Sequence, residues 1–307
     1  MEKEERKAEE NGLMGRARTL SLTIGPDCQG RTIRDILKKN YGLVDHDISR
    51  AKYRSDGILL NGRRTYVTTE VAEGDLLTVT VDSPPLGRTV PAKGPIDILY
   101  EDEDIIALNK PAGIVVHPSH GHFRDSLGNY LAGYFEETGQ VHDVRTIGRL
   151  DKDTSGVILY GKTRTAVYLL TKQAEEGELK KTYLALAEGL FPEDHYAFDD
   201  PIGRVEEDKI RRMVRPDGQR AHTEAFVERR FPGYALVRCH IETGRTHQIR
   251  VHLSHAGHPL LGDPLYGGKP LLPRAALHCA LVTFRRPFSG ETVTVEAPLP
   301  SDMKEWL

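Results

Sequence analysis

Gly148-Arg149-Leu150-Asp151-Lys152-Asp153-Thr154-Ser155-Gly156 is the stretch on which the reading of this chain turns. Arg149 and Asp151 sit two apart. Thr154, Ser155 and Gly156 then turn the chain into the apolar run Val157-Ile158-Leu159. That run predicts a short buried strand, closed by Tyr160 and Gly161. A turn feeding a buried strand is a rigid mount, able to hold a carboxylate at the mouth of a cleft. An arbitrary Arg-x-Asp on a turn is ordinarily a surface feature. The longer string, and what surrounds it, carries the weight.

Working outward, 307 residues suffice for a full core and predict two domains. Apolar residues make up 38% and charged residues 28%, the proportions of a soluble globular chain. Apolar runs stop well short of the ~18 residues a membrane span needs, so no membrane partner is expected. Met1 to Glu10 is charged and has no apolar centre, so a secretory signal is not expected. Residues 1–17 read as a disordered tail. Cys28, Cys239 and Cys279 are far apart, an odd and sparse set that points to the reducing cytoplasm over a disulfide framework. Net charge is −3, but it is unevenly spread. Between Arg31 and Arg64 nine Lys/Arg oppose four Asp, a local +5. A basic module on a more acidic body is an electrostatic footprint for RNA, with Arg34, Arg50, Lys52 and Arg54 as expected contacts.

Residues 18–82 read as one unit. Ile33, Ile36 and Leu37 predict a short amphipathic helix over residues 31–40, stopped near Gly42. Asp47 is a candidate cap for a second helix reaching residue 54. Residues 57–62 read as a strand and an Asn61-Gly62 turn. Gly74-Asp75 leads into an alternating strand over residues 76–81. Residues 83–95 are rich in Pro and Gly and read as an extended linker. In residues 96–307 a hairpin is predicted at 96–101 and 105–109, and helices at 126–135 and 166–175. Strands are predicted at 157–160, 181–188, 222–230, 234–241 and 292–296. The pattern predicts an α+β domain around a largely antiparallel mixed sheet.

Four ordered segments of this second domain carry chemistry. Asn109-Lys110-Pro111-Ala112-Gly113 predicts a tight turn between two strands, by itself a structural feature. The second segment is the Asp151 string. The third, Lys181-Thr182-Tyr183-Leu184-Ala185, is an alternating strand with Lys181, Tyr183 and Ala185 on one face, where a tyrosine is ordinarily core. The fourth is Glu242-Thr243-Gly244-Arg245-Thr246-His247-Gln248-Ile249-Arg250. It breaks a strand at Gly244 and offers Thr246 as the cap of a helix running to about residue 256. Together the four resemble the motifs of RNA pseudouridine synthases of the RluA/RluD class, which isomerise uridine in RNA. The helix, helix and hairpin of residues 18–82 resemble the S4 RNA-binding fold. His252, His255 and His258, and His117, His120 and His122, lack an H-E-x-x-H pattern, so no metal is expected. Asp263 stands where a phosphate loop needs Lys, and no G-x-S-x-G elbow occurs.

The resemblance implies roles. Asp151 is the nucleophile or base, Tyr183 stacks on the target base, and Arg250 pairs with Asp151 and orients it. Arg149 occupies the gap left when the uridine flips out, a step costing a few kcal/mol. The family usually has His where this chain has Gly148. The reaction cuts the N1–C1′ bond, turns the base and rejoins it through C5. Nothing is oxidised, hydrolysed or phosphorylated, so no cofactor is expected. The carboxylate either attacks C1′ or takes the C2′ proton, and both routes give Asp151 the same part. Uracil leaves readily enough for one Asp to suffice, which makes Asp153 secondary. The expected partner is RNA, with large-subunit ribosomal RNA ahead of transfer RNA, bound by a cytoplasmic monomer. Two rivals belong to other classes. One is a non-catalytic RNA-binding or ribosome-assembly protein, which has no use for a carboxylate facing anionic RNA. The other is a retaining glycosidase, which needs a second carboxylate about 5 Å away.

Overall fold

The structure is a computed structural model that describes residues 17–81, 89–119, 121–206 and 208–307. Nearly all of the expected tail, the first part of the expected linker and His120 lie outside the described residues. The N-terminal unit contains β1 (Arg18–Thr23), α1 (Ile33–Tyr41), α2 (Asp45–Tyr53), β2 (Ile58–Leu60), β3 (Arg63–Arg64) and β4 (Leu76–Val81). Its strands form an antiparallel sheet in the order β1-β4-β2-β3. Ile33, Ile36 and Leu37 recur at helical spacing, and all three are buried in one cluster with Leu77 and Val79. Thr32 caps α1 by accepting from the Asp35 amide, and Gly42 ends it in the left-handed region. The start of α2 corrects the sequence reading. Its cap is Val44, and Asp47 is buried inside the first turn. Asp45 and Asp47 both sit where a helix dipole favours an acid, so an acidic residue alone does not locate the cap.

The second unit runs β5 (Ile98–Glu101), β6 (Ile105–Lys110), α3 (Leu127–Glu137), β7 (Arg145–Ile147), β8 (Ser155–Gly161), α4 (Arg164–Glu175) and β9 (Lys180–Glu188). It continues through β10 (His195–Phe198), β11 (Ile202–Val205), β12 (Asp208–Val214), β13 (Thr223–Phe231), β14 (Tyr234–Ile241) and α5 (Gln248–His255). It ends with β15 (Leu277–Arg285), β16 (Thr292–Glu296) and α6 (Ser301–Lys304). Among the described residues, ten of these strands form one sheet along β10-β13-β14-β9-β15-β8-β6-β5, with β16 on β15 and β7 on β8. Its pairings are antiparallel except for β8 with β15. The fold is therefore α+β around a largely antiparallel mixed sheet. β11 and β12 pair separately, packing Ile202 against Val251 and Tyr266.

Every residue of β8 is buried, as the apolar run demands. Ser155 and Gly156, read as part of a turn, are its first two residues. Gly156 has φ 108°, and a Cβ there would lie 2.1 Å from the Cys279 carbonyl oxygen. Only glycine lets β15 come this close. The described part of the expected linker is docked. The Ala92 N–H donates to the Asn129 carbonyl, and the Asn129 side chain donates to the Val90 carbonyl. The N-terminal unit meets α4 where the Tyr168 hydroxyl donates to the Lys39 carbonyl at 2.9 Å. Among the described residues no helix is long and apolar enough to cross a membrane.

Candidate active site

Asp151 lies just ahead of β8, and its turn is tied from three sides. The Thr154 N–H donates to the Asp151 carbonyl at 3.2 Å. The Lys152 carbonyl accepts from the Gly113 N–H at 2.9 Å and from Lys110 Nζ at 2.7 Å. The Asp153 carbonyl accepts from Arg274 Nη1 at 3.1 Å. The Lys110–Gly113 segment is therefore a clamp on the Asp151 turn. It is not a turn between two strands, as its sequence suggested. The chain after Gly113 leaves the sheet, and the Val115 and Val116 carbonyls accept from the first amides of α3.

Arg250 is buried on α5. Its Nε and Nη2 donate to the two carboxylate oxygens of Asp263 at 2.7 and 2.8 Å. Its Nη1 stands 3.8 Å from Asp151 Oδ2. The guanidinium lies over the Tyr266 ring, 5.1 Å from its centre. The Tyr266 hydroxyl in turn bonds His247 Nδ1 at 2.8 Å. His247, at φ 59°, is the N-cap of α5 and gives it no side-chain bond. Thr246 is therefore not the cap. Gln248 steadies the entry from inside. Its Oε1 accepts from Thr243 Oγ1 and the Arg245 N–H, and its Nε2 donates to the His222 carbonyl and Thr223 Oγ1.

Tyr183 is buried on β9, in register with Cys239 of β14 and Cys279 of β15. Arg149, Asp151, Lys181, Tyr183, Arg245 and His247 line a cavity of about 490 Å³. Asp151 and Tyr183 thus share one cavity, with Arg149 exposed at its rim and Arg250 buried behind the carboxylate. The other expected RNA contacts are elsewhere, on the N-terminal unit. There Arg34 lies 3.5 Å from Asp45 and Arg54 lies 3.1 Å from Asp56, while Lys52 is exposed. Tyr53 and Tyr66 of the same unit are 85% and 79% exposed, which makes them available for stacking.

Known proteins similar to this chain point to one family. Residues 104–255 match the family described as RNA pseudouridylate synthase. The uncharacterized RNA pseudouridine synthase YhcT of Bacillus subtilis is 41% identical over 237 residues, 76% of this chain and 78% of that protein. Ribosomal large subunit pseudouridine synthase D of Neisseria meningitidis is 35% identical over 301 residues, 92% of this chain and 80% of the relative. The chain belongs to the RNA pseudouridine synthase family. It is an enzyme of the RluA/RluD class that isomerises uridine to pseudouridine in RNA. The solved structure of human RNA pseudouridylate synthase domain containing 1 is similar, with a TM-score of 0.56 at 26% identity, covering 66% of this chain and 83% of that one.

Burial sets the electrostatics around the synthase's cavity. It opposes the Arg250 charge, but the hydrogen bonds to Asp263 and the charges of Asp263 and Asp151 outweigh it and raise the pKa. Burial, aided by the neighbouring Cys279, raises the Tyr183 hydroxyl well above its usual pKa, so the phenol stays protonated. Burial also lowers His247, with Asp151 pulling the other way. It brings Lys110 down to about 7 against the pull of Asp153 and Asp151.

Asp263 and Lys110 are the two supporting residues that the sequence reading left without a role. Asp263 carried one signal: an acid directly after Leu260-Leu261-Gly262, in an apolar setting where a buried carboxylate needs a cation. Several of the histidines singled out as metal candidates bond within the fold. His252 bonds Thr223 Oγ1 through Nδ1 and the Asp200 carbonyl through Nε2, and His258 bonds the Glu188 carbonyl. Among the described residues no cluster of metal-ligating side chains occurs.

Proposed function

We propose that this synthase modifies uridine in large-subunit ribosomal RNA, in the cytoplasm and as a monomer. Asp151 is the nucleophile or base, Tyr183 stacks on the flipped uracil, Arg250 orients Asp151, and Arg149 fills the vacated stack. Residues 18–82 are an S4-like RNA-binding module. Residues 83–95 join it to the catalytic domain at 96–307. Arg34, Arg50, Lys52 and Arg54 contact phosphates, with Tyr53 and Tyr66 as stacking platforms.

The observation that carries this reading is the meeting of Asp151 and Tyr183 in one cavity, with Arg250 behind the carboxylate. With Asp263 taking two of its donors, Arg250 is left with one edge facing Asp151. That edge is fixed, so the carboxylate meets C1′ or the C2′ proton in one orientation. Tyr183, protonated and embedded in the sheet, offers a flat apolar face to a base. The choice of RNA rests on relatives, such as the one from Neisseria meningitidis, whose name specifies the ribosomal large subunit. A non-catalytic role is disfavoured by a carboxylate held in a cavity that anionic RNA must enter.

The test is a pseudouridine map of cellular RNA with and without the synthase. One or more large-subunit ribosomal positions should lose modification and regain it with the wild-type gene. Asp151→Asn should fail to restore them while still binding RNA. A lost position confined to transfer RNA overturns the choice of substrate. An Asp151→Asn enzyme with more than about a tenth of the wild-type rate, under 1.4 kcal/mol of barrier, removes Asp151 from the mechanism.

A further inference from the structure

Lys181 lines the cavity but has no part in the mechanism so far. It precedes Tyr183 by two residues on the same face of β9. Exposure falls along this strand: Lys180 is exposed, Lys181 partly so, and Tyr183 buried. Lys181 thus lies about 6–7 Å nearer the mouth than Tyr183. Facing it is Gly148, the residue before Arg149. Gly148 has φ 74°, and a Cβ built on it would stand 2.9 Å from Lys181 Nζ. The absent side chain leaves a notch that the ammonium fills.

No carboxylate among the described residues offsets this charge. The acids lining the cavity have partners of their own: Asp151 lies by Arg250, Glu224 by His195, and Glu242 by Arg220. Burial holds the Lys181 pKa below the usual lysine value. A cation lodged in a cavity without an acid partner is a seat for an anion brought by the ligand. The anions RNA brings are its phosphates.

We propose that Lys181, seated in the notch at Gly148, binds the phosphate of the flipped uridine nucleotide. The inference rests on the reading that Tyr183 stacks on the base. A nucleotide entering base first reaches Tyr183 with its uracil, and its phosphate trails one side-chain row behind, at the mouth beside Arg149. Lys181 and Tyr183 together then measure the base-to-phosphate distance of one extruded nucleotide.

The test is binding by the full-length protein to a short synthetic RNA centred on the uridine it modifies, over a range of salt. Lys181→Gln should weaken binding about tenfold and flatten the plot of log Kd against log salt by about 0.7, the share of one phosphate on a single strand. Lys181→Arg should recover most of both. Gly148→Ala should weaken binding as well, because its Cβ displaces the ammonium. A neutral methylphosphonate beside the target uridine should reproduce the loss in the wild type and add nothing in Lys181→Gln. Unchanged affinity and slope in Lys181→Gln, or losses that simply add, overturn the proposal. Tyr183→Leu separates the two readings. If it binds and reacts like wild type while Lys181→Gln flattens the slope, the stacking reading falls and the phosphate contact stands. The opposite pattern removes the contact alone.

Discussion

Lys110 links the stability of the fold to the seating of Asp151. It is fully buried, and its ammonium donates to the carbonyls of Pro111 at 2.8 Å and Lys152 at 2.7 Å. Burial lowers its pKa from 10.5 to about 7. Between those two values the unfolded chain holds a proton that the folded chain has released. Stability therefore rises with pH across this window, by about 1.4 kcal/mol per unit. From pH 6 to pH 9 the Lys110 contribution grows by about 2.7 kcal/mol, nearly all of it above pH 7. It is lost again as pH falls through 7. Lys110→Met keeps much of the stem's volume and removes the titration. Urea unfolding of both proteins at pH 6, 7, 8 and 9 reads the effect directly. The gap between them should stay constant below about pH 7 and shift in favour of wild type by about 1.4 kcal/mol per unit above it. A gap that stays constant up to pH 9 would mean that Lys110 titrates near its ordinary value, and the burial argument would be refuted.

Two further outcomes follow from other parts of the structure. Asp263→Asn removes the charge that Arg250 grips and leaves a buried guanidinium short of a partner; it should cost about 3–5 kcal/mol in urea or thermal unfolding, and a loss below about 1 kcal/mol would mean that water or Asp151 takes over. Changing Arg50, Lys52 and Arg54 together to Gln should weaken RNA binding and flatten its salt dependence by about 2, the share of three phosphates on single-stranded RNA. An unchanged slope would remove these three residues from the RNA contact.

What could be read from sequence follows the range of the interactions involved. β8 was legible because an apolar run bounded by turn residues has few alternatives. β14 and β16 were legible in full, with the predicted bounds 234–241 and 292–296 matching Tyr234–Ile241 and Thr292–Glu296. β15 was missed although it lies in the middle of the sheet. Most of its residues are buried, so Leu277 to Val282 shows no alternation, and its pairings with β9, β8 and β16 identify it. The start of α5 was misplaced because Gln248, already inside the helix, steadies the loop that an N-cap side chain would ordinarily hold.

The same distinction runs through the site. Asp151, Tyr183 and Arg250 could be singled out as an ordered set of short motifs, and the structure brings the first two into one cavity with the third behind the carboxylate. The residues that hold them act at a distance. Lys110 reaches across 42 residues to the Lys152 carbonyl, and Asp263 lies 13 residues beyond Arg250, in the loop that follows α5. Their one mark in the sequence is a charged residue in an apolar setting. Such a charge is costly to bury, and the cost is met only when a second buried group depends on it. A buried Lys or Asp near a recognised motif is therefore the place to look for the rest of a site. Here that rule leads from the Asp151 turn to Lys110, and from Arg250 to Asp263.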